Sequence, residues 1–150
     1  MIRSSIPIHL VDLREWLENA INDPTSEYVA FVCDDLPYFR NPPVSWASIV
    51  KDLIDNRWKD VPADILFACT RFLVQRGVDG TIKQSAVSRL LQRAPSIESV
   101  LMALDVWKGL DAPEQSMLSD SIINAYKRLT LWRRMVLNCD GRFRAIARNG

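Results

Sequence analysis

Seven cationic side chains crowd the last third of the sequence: Lys127, Arg128, Arg133, Arg134, Arg142, Arg144 and Arg148, with Asp140 the only acid among them. Each arginine offers a rigid fork of N–H donors that suits phosphate and carboxylate oxygens alike. The chemistry on offer is recognition of an anion, either an RNA backbone or an acidic protein, unless the charges only form a solvated face. Trp58 lies between Arg57 and Lys59 at an expected helix end and is a candidate for base stacking or for an interface. Groups for bond-making are scarce. His9 is the single histidine, and no acid near it could orient it as a general base. No Ser-His-Asp set, HExxH or glycine-rich phosphate loop occurs. Cys33, Cys69 and Cys139 stand far apart without a CxxC pair, so neither a zinc site nor a disulfide framework is expected. No catalytic residue, cofactor, metal or small-molecule substrate is expected. Unpaired thiols fit a reducing intracellular compartment.

The elements that must position these side chains are helices. With 150 residues, 48% hydrophobic and 25% charged, the chain can bury a real core, and its five glycines leave long helical periodicities uninterrupted. No apolar run approaches the ~20 residues that span a membrane. The central stretch, 81–110, reads as two short amphipathic helices. Ile82, Ala86, Val87, Leu90 and Leu91 form one stripe, and Val100, Leu101, Leu104 and Trp107 form the other. Thr81 with Gln84 has the form of a capping box, Pro95-Ser96 marks the break, and Gly109 is placed to end the pair.

The same reading extends along the chain. A helix over 8–22 carries Leu10, Leu13, Trp16, Leu17, Ala20 and Ile21 and ends at Asp23-Pro24. A second, over 26–36, is capped by Thr25 or Ser26. Its acidic end, Asp34-Asp35, opposes the helix dipole, so that turn should fray or find a basic partner. The segment PYFRNPP at 37–43 predicts an extended linker, with Tyr38 and Phe39 plugging the joint. Hairpins follow: Trp46, Ile49, Val50, Leu53 and Ile54, then Ile65, Leu66, Cys69, Phe72 and Leu73, with Asp60 as cap, Pro62 at the start and Gly77 at the end. Pro113 opens a helix through Met117, Leu118, Ile122, Ala125, Tyr126 and Leu129. Thr130 caps a last one that packs Trp132, Met135 and Val136 inward, before a basic tail broken at Gly141. The expected organisation is one structural domain: a helical pair (1–36), a linker (37–43), three helical hairpins (44–138) and a tail (139–150).

The hairpins repeat. Ile49-Val50, Leu90-Leu91 and Ile122-Ile123 are offset by 41 and 32 residues, and 45–53 (SWASIVKDL), 86–94 (AVSRLLQRA) and 118–126 (LSDSIINAY) recur in pattern. These resemble the first helix of a pentatricopeptide (PPR) repeat. Residues 102–110 (MALDVWKGL) resemble its second helix, and 73–79 (LVQRGVD) its exit turn. The resemblance covers 44–137 and implies an all-α, solenoid-like stack of antiparallel helical hairpins. A compact irregular bundle is the alternative. PPR arrays bind single-stranded RNA on the face made by their first helices, and the resemblance places the base-selecting positions at Ala47, Ser88 and Asp120. Ala47 cannot hydrogen-bond a base through its side chain, and three repeats would address about three bases. The resemblance therefore implies a non-catalytic scaffold or adaptor, a subunit of a larger assembly such as a mitochondrial ribonucleoprotein or ribosome. A single-stranded RNA-binding protein is the alternative.

The start, MIRSSIPIHL, is similar to a short mitochondrial presequence, which would place the chain in the matrix. Charge is polarised as well. Residues 1–80 hold 8 Lys or Arg against 12 Asp or Glu, and residues 81–150 hold 11 against 6. Such asymmetry suits docking between partners of opposite charge, and the basic segment 127–148 is the expected docking surface.

Overall fold

The structure, a computed structural model, describes Pro7 and residues 10–76 and 78–149. Among them every regular element is helical and no strand occurs, as the periodicities require. None of these helices is long and apolar enough to cross a membrane. His9, the presequence-like residues 1–6 and the helix stop at Gly77 lie outside the described residues. The chain divides into two compact units, Met1–Val78 and Asp79–Gly150.

The first unit begins with α1, Leu13–Asn22, five residues later than its apolar pattern suggests. Asp12 decides the start: its carboxylate accepts from the Glu15 N–H at 3.2 Å and satisfies one of the orphan donors of the first turn. Leu13, Leu17 and Ala20 share a stripe and are buried, whereas Leu10, ahead of the cap, is 63% exposed. Asp23 is extended, as the following Pro24 demands, and ends the helix. Asp23 accepts the Thr25 hydroxyl and N–H at 2.7 and 3.0 Å, so Thr25 closes this turn instead of capping the next helix. The Thr25 hydroxyl bond holds the Asp23 carboxyl below the usual carboxylate range.

The next helix, α2 (Glu27–Ala30), starts after Ser26 without a side-chain cap bond and widens into a π-helical turn, Phe31–Asp35. The Leu36 N–H there donates to the Phe31 carbonyl five residues back. Pro37 supplies the cause, since it has no N–H for a regular α ladder and its ring would press on the carbonyl four residues back. The acidic end thus rewinds rather than fraying. The expected extended linker is also corrected at its start: a 3₁₀ turn, Leu36–Tyr38, holds Leu36 and Pro37 buried. Helices α3 (Val44–Arg57) and α4 (Ala63–Val74) complete the unit. Pro62 itself occupies the N-cap position, where Asp60 was expected.

A ladder of rings binds these pieces. Trp16 meets Tyr28 at 5.3 Å and Phe31 at 4.8 Å, Phe31 meets Phe39 at 5.9 Å, Phe39 meets Trp46 at 5.2 Å, and Trp46 meets Phe72 at 6.4 Å. Each such pair adds about 0.5–1.5 kcal/mol beyond burial. Phe39 therefore plugs the joint as its sequence position suggests, while Tyr38 faces outward beneath Arg71.

In the second unit α5 (Gly80–Arg93), α6 (Ile97–Trp107) and α7 (Ala112–Lys127) pack on one another. Asp79, not Thr81, caps α5, accepting the Thr81 N–H at 2.9 Å. A Cβ at Gly80 would sit 3.1 Å from Leu110, so a side chain there would crowd the start of the helix. The expected Thr81–Gln84 box does not form. The amide of Gln84 donates to Ser88 instead, and the capping box of this unit joins Ser96 and Ser99 across the predicted break. Leu90, Leu91, Val100, Leu104, Leu118 and Ile122 are fully buried among these helices. Trp107 is half-buried and tethered: its indole N–H reaches the Gln115 carbonyl and Ser119 hydroxyl, and the Gln115 amide donates back to the Trp107 carbonyl.

Two further helices follow, α8 (Leu131–Asn138) and α9 (Gly141–Asn149). The expected basic tail is corrected to a helix. Asp140 starts α9 by accepting the N–H groups of Arg142 and Phe143 at 2.8 and 3.3 Å. Gly141 therefore begins the helix rather than breaking the chain. Phe143 and Ile146, on one face, are buried.

Candidate interaction surface

The seven cations do not act as one block. Arg142 is consumed inside the unit: its guanidinium pairs with Asp105 on α6 and with Asp140 at 3.2 Å. That hydrogen bond holds the Asp140 carboxyl below the usual range and raises Arg142 further. Arg134 folds back over the end of α7. It donates to the Leu129 carbonyl at 3.0 Å and to the Lys127 carbonyl, and its guanidinium lies 5.6 Å from the Tyr126 ring. The Lys127 carbonyl is an orphan acceptor of the α7 C-terminus, the end that favours a cation, and Leu129 lies in the turn just beyond it. Arg128 donates to the Gln92 carbonyl at 2.5 Å. Lys127, Arg133, Arg144 and Arg148 remain on the surface. Arg144 and Arg148 are four residues apart and share a stripe of α9, on the side away from Arg142.

The sequence pattern expects α8 to turn its apolar side inward. The structure reverses this. Leu131, Trp132, Met135 and Val136 are 73, 71, 52 and 41% exposed, and the inward positions are Leu137, which is buried, and Arg134. The Arg134 contacts explain the rotation. Docking its fork on the last carbonyl of α7 and on the Leu129 carbonyl of the following turn fixes the helix so that positions 131, 132, 135 and 136 point away. Cys139 lies one turn beyond Met135 and is exposed too. The pairs Leu131-Met135 and Trp132-Val136, spaced by four, were visible as a stripe, but the sequence does not say that it faces solvent.

A second feature is a cleft of about 530 Å³ on α5 and α7, walled by polar side chains and by Leu91, Met117 and Ala125. Gln84, Ser88, Gln92, Ser121, Asn124 and Arg128 line it, and the Ser121 hydroxyl donates to Ser88 at 3.2 Å. Of the expected base-selecting positions, Ser88 lies in this cleft. Asp120 is exposed outside its lining, and Ser121 takes the place beside Ser88. Trp58 belongs to the other unit, half-buried, with the Lys59 ammonium 5.4 Å from its ring centroid.

Among the described residues no group of His, Cys, Asp or Glu is arranged to hold a metal. Cys69 is fully buried, which pushes its thiol up to about 12. Burial, with the Asp64 and Asp34 carboxylates, pushes Cys33 to about 11. Thiols so raised are poor nucleophiles. Compared with protein-family models, curated proteins and solved structures, the chain finds no match.

Proposed function

We propose that the protein is a non-catalytic helical adaptor that docks through α8 and its flanking cations onto another protein subunit of a larger assembly. The observation that carries the reading is the apolar face of Leu131, Trp132, Met135 and Val136, left in water beside Arg133. Exposed large apolar side chains that share one helix face mark an interaction site more often than singly scattered ones do. A solenoid-like, PPR-like stack of hairpins within a mitochondrial ribonucleoprotein is the finer form of this reading. The packing of α5 directly on α7, the first helices of successive hairpins, supports it.

The test is purification of the tagged protein from its own cells, with its mass in solution and its bound components determined. Replacing Leu131, Trp132, Met135 and Val136 together by Gln should release the protein from a larger particle at unchanged helicity. Retention of the variant in that particle would defeat the proposal.

The α5/α7 cleft favours a second reading, single-stranded RNA held by Ser88, Gln92 and Arg128. That reading requires an affinity for RNA that falls steeply with salt and survives the α8 substitutions.

A further inference from the structure

Resting on the adaptor reading, we infer that the exposed face of α8 receives an acidic amphipathic helix of the partner protein. Three features of the surface select this occupant. The first is geometry. At 100° per residue, positions 131, 132, 135 and 136 fall within about 140° of arc and cover about one and a half turns, about 7.5 Å of axis. That matches the apolar stripe of one crossing helix, in which anchors at i, i+3, i+4 and i+7 meet a short apolar face.

The second feature is charge. Arg133 sits on the same helix at the edge of the stripe, beside Val136, and Lys127, Arg144 and Arg148 are exposed on the adjoining helices. Among the described residues, Arg133, Arg144 and Arg148 have no carboxylate partner, in contrast to Arg142. An apolar stripe edged by an unspent arginine, with further exposed cations on the neighbouring helices, is complementary to an apolar stripe edged by carboxylates. A second copy presenting the same face would set cation against cation, so a symmetric self-contact is disfavoured.

The third is the anchor. Trp132 is a large rigid apolar side chain at the centre of the patch, with an indole N–H ready for a carboxylate or carbonyl, and tryptophan is enriched among residues that carry binding energy. A lipid surface would accept the same cations. However, helices that lie in a bilayer interface draw their binding from a long apolar face, and α8 has only eight residues.

The experiment uses the full chain and two synthetic amphipathic peptides. Both carry leucines at i, i+3, i+4 and i+7; one has glutamates flanking the stripe and the other lysines. Fluorescence anisotropy should show that the glutamate peptide binds, that the lysine peptide does not, and that affinity falls as salt rises. Trp132→Ala should weaken binding by about thirtyfold, the loss expected of an interface anchor. Arg133→Glu should weaken it as well. Arg40→Glu, an exposed substitution in the other unit, should leave binding unchanged. Binding to phosphatidylserine vesicles without binding to the peptide would overturn the inference in favour of a lipid surface. Self-association lost on Trp132→Ala would overturn it in favour of a second copy. If the α8 substitutions leave the native particle intact, the adaptor reading fails with it. If they dissolve the particle while the glutamate peptide does not bind, this inference alone fails.

Discussion

The rings of Tyr126 and Phe143 lie 4.7 Å apart with planes tilted by 30°, and this contact fastens α9 to the end of α7. The Tyr126 hydroxyl at the same time donates to Asn138 at 3.0 Å, at the close of α8. One side chain thereby gathers the ends of α7 and α8 and the start of α9. Phe143, 2% exposed, supplies the apolar filling.

Phe143→Ala should therefore cost about 3–5 kcal/mol, the range for emptying a buried phenylalanine site. Urea unfolding measures the loss, and limited proteolysis should cut first within 139–149. A change below ~0.5 kcal/mol would mean that α9 is not docked on Tyr126.

Trp132→Ala should behave oppositely. With its side chain largely in water, its loss should shift unfolding by no more than about 0.5 kcal/mol while removing the protein from its assembly. A large destabilisation would place the indole in the core after all.

The arginines should separate into two groups. Arg134→Gln removes bonds to two carbonyls, at the end of α7 and in the turn beyond it, as well as the contact with Tyr126, and Arg142→Gln breaks the link between α9 and α6. Exposed ion pairs are worth about 0.2–1 kcal/mol, so Arg142→Gln should lose no more than that, and less at high salt. Arg133→Gln and Arg144→Gln should leave thermal unfolding unchanged and weaken docking. Equal stability losses across all four would contradict the division.

Acid should loosen the start of α9. The Arg142 hydrogen bond depresses the Asp140 carboxyl in the folded state, so the unfolded chain binds that proton more readily. The stabilisation is present above the unfolded value near 3.8 and is lost as pH falls through the depressed folded value. Asp140→Asn should flatten this acid limb in a pH series of melting temperatures.

At the alkaline end the raised thiols act with the opposite sign. Cys69, held near 12 by burial, stays protonated in the fold while the unfolded thiol ionises near 9. Its contribution is intact below about pH 9 and declines towards pH 12, and Cys69→Ala should remove this decline. In alkylation at pH 8, exposed Cys139 should react before Cys33 and Cys69.

The sequence by itself determined that the chain is helical and where most helices stop. Leu13, Leu17 and Ala20, or Leu90 and Leu91 with Val87, recur at the helical spacing. Pro24 and Pro95 stand in the breaks between helices, and Pro113 stands in the first turn of α7, where no N–H is needed. Such signals are local, carried by a few adjacent residues, and survive without knowledge of neighbours. The cap at Asp79 was local too, but Thr81 two positions on competes for it, and the close approach of Leu110 to Gly80 is invisible in one dimension.

Only the tertiary structure decided which faces are covered. Periodicity shows that Leu131, Trp132, Met135 and Val136 share a side of α8, but burying that side requires another element to lie there. Arg134, locked on the last carbonyl of α7 and on that of Leu129 in the following turn, turns the side outward. The segment beyond Asn138 likewise gains its order from Tyr126, Asp105 and Asp140, one of them 37 positions from its arginine. A stripe of apolar residues states a preference to leave water. Whether it does so depends on which surfaces the rest of the chain brings within reach, and that depends on contacts between residues far apart in sequence.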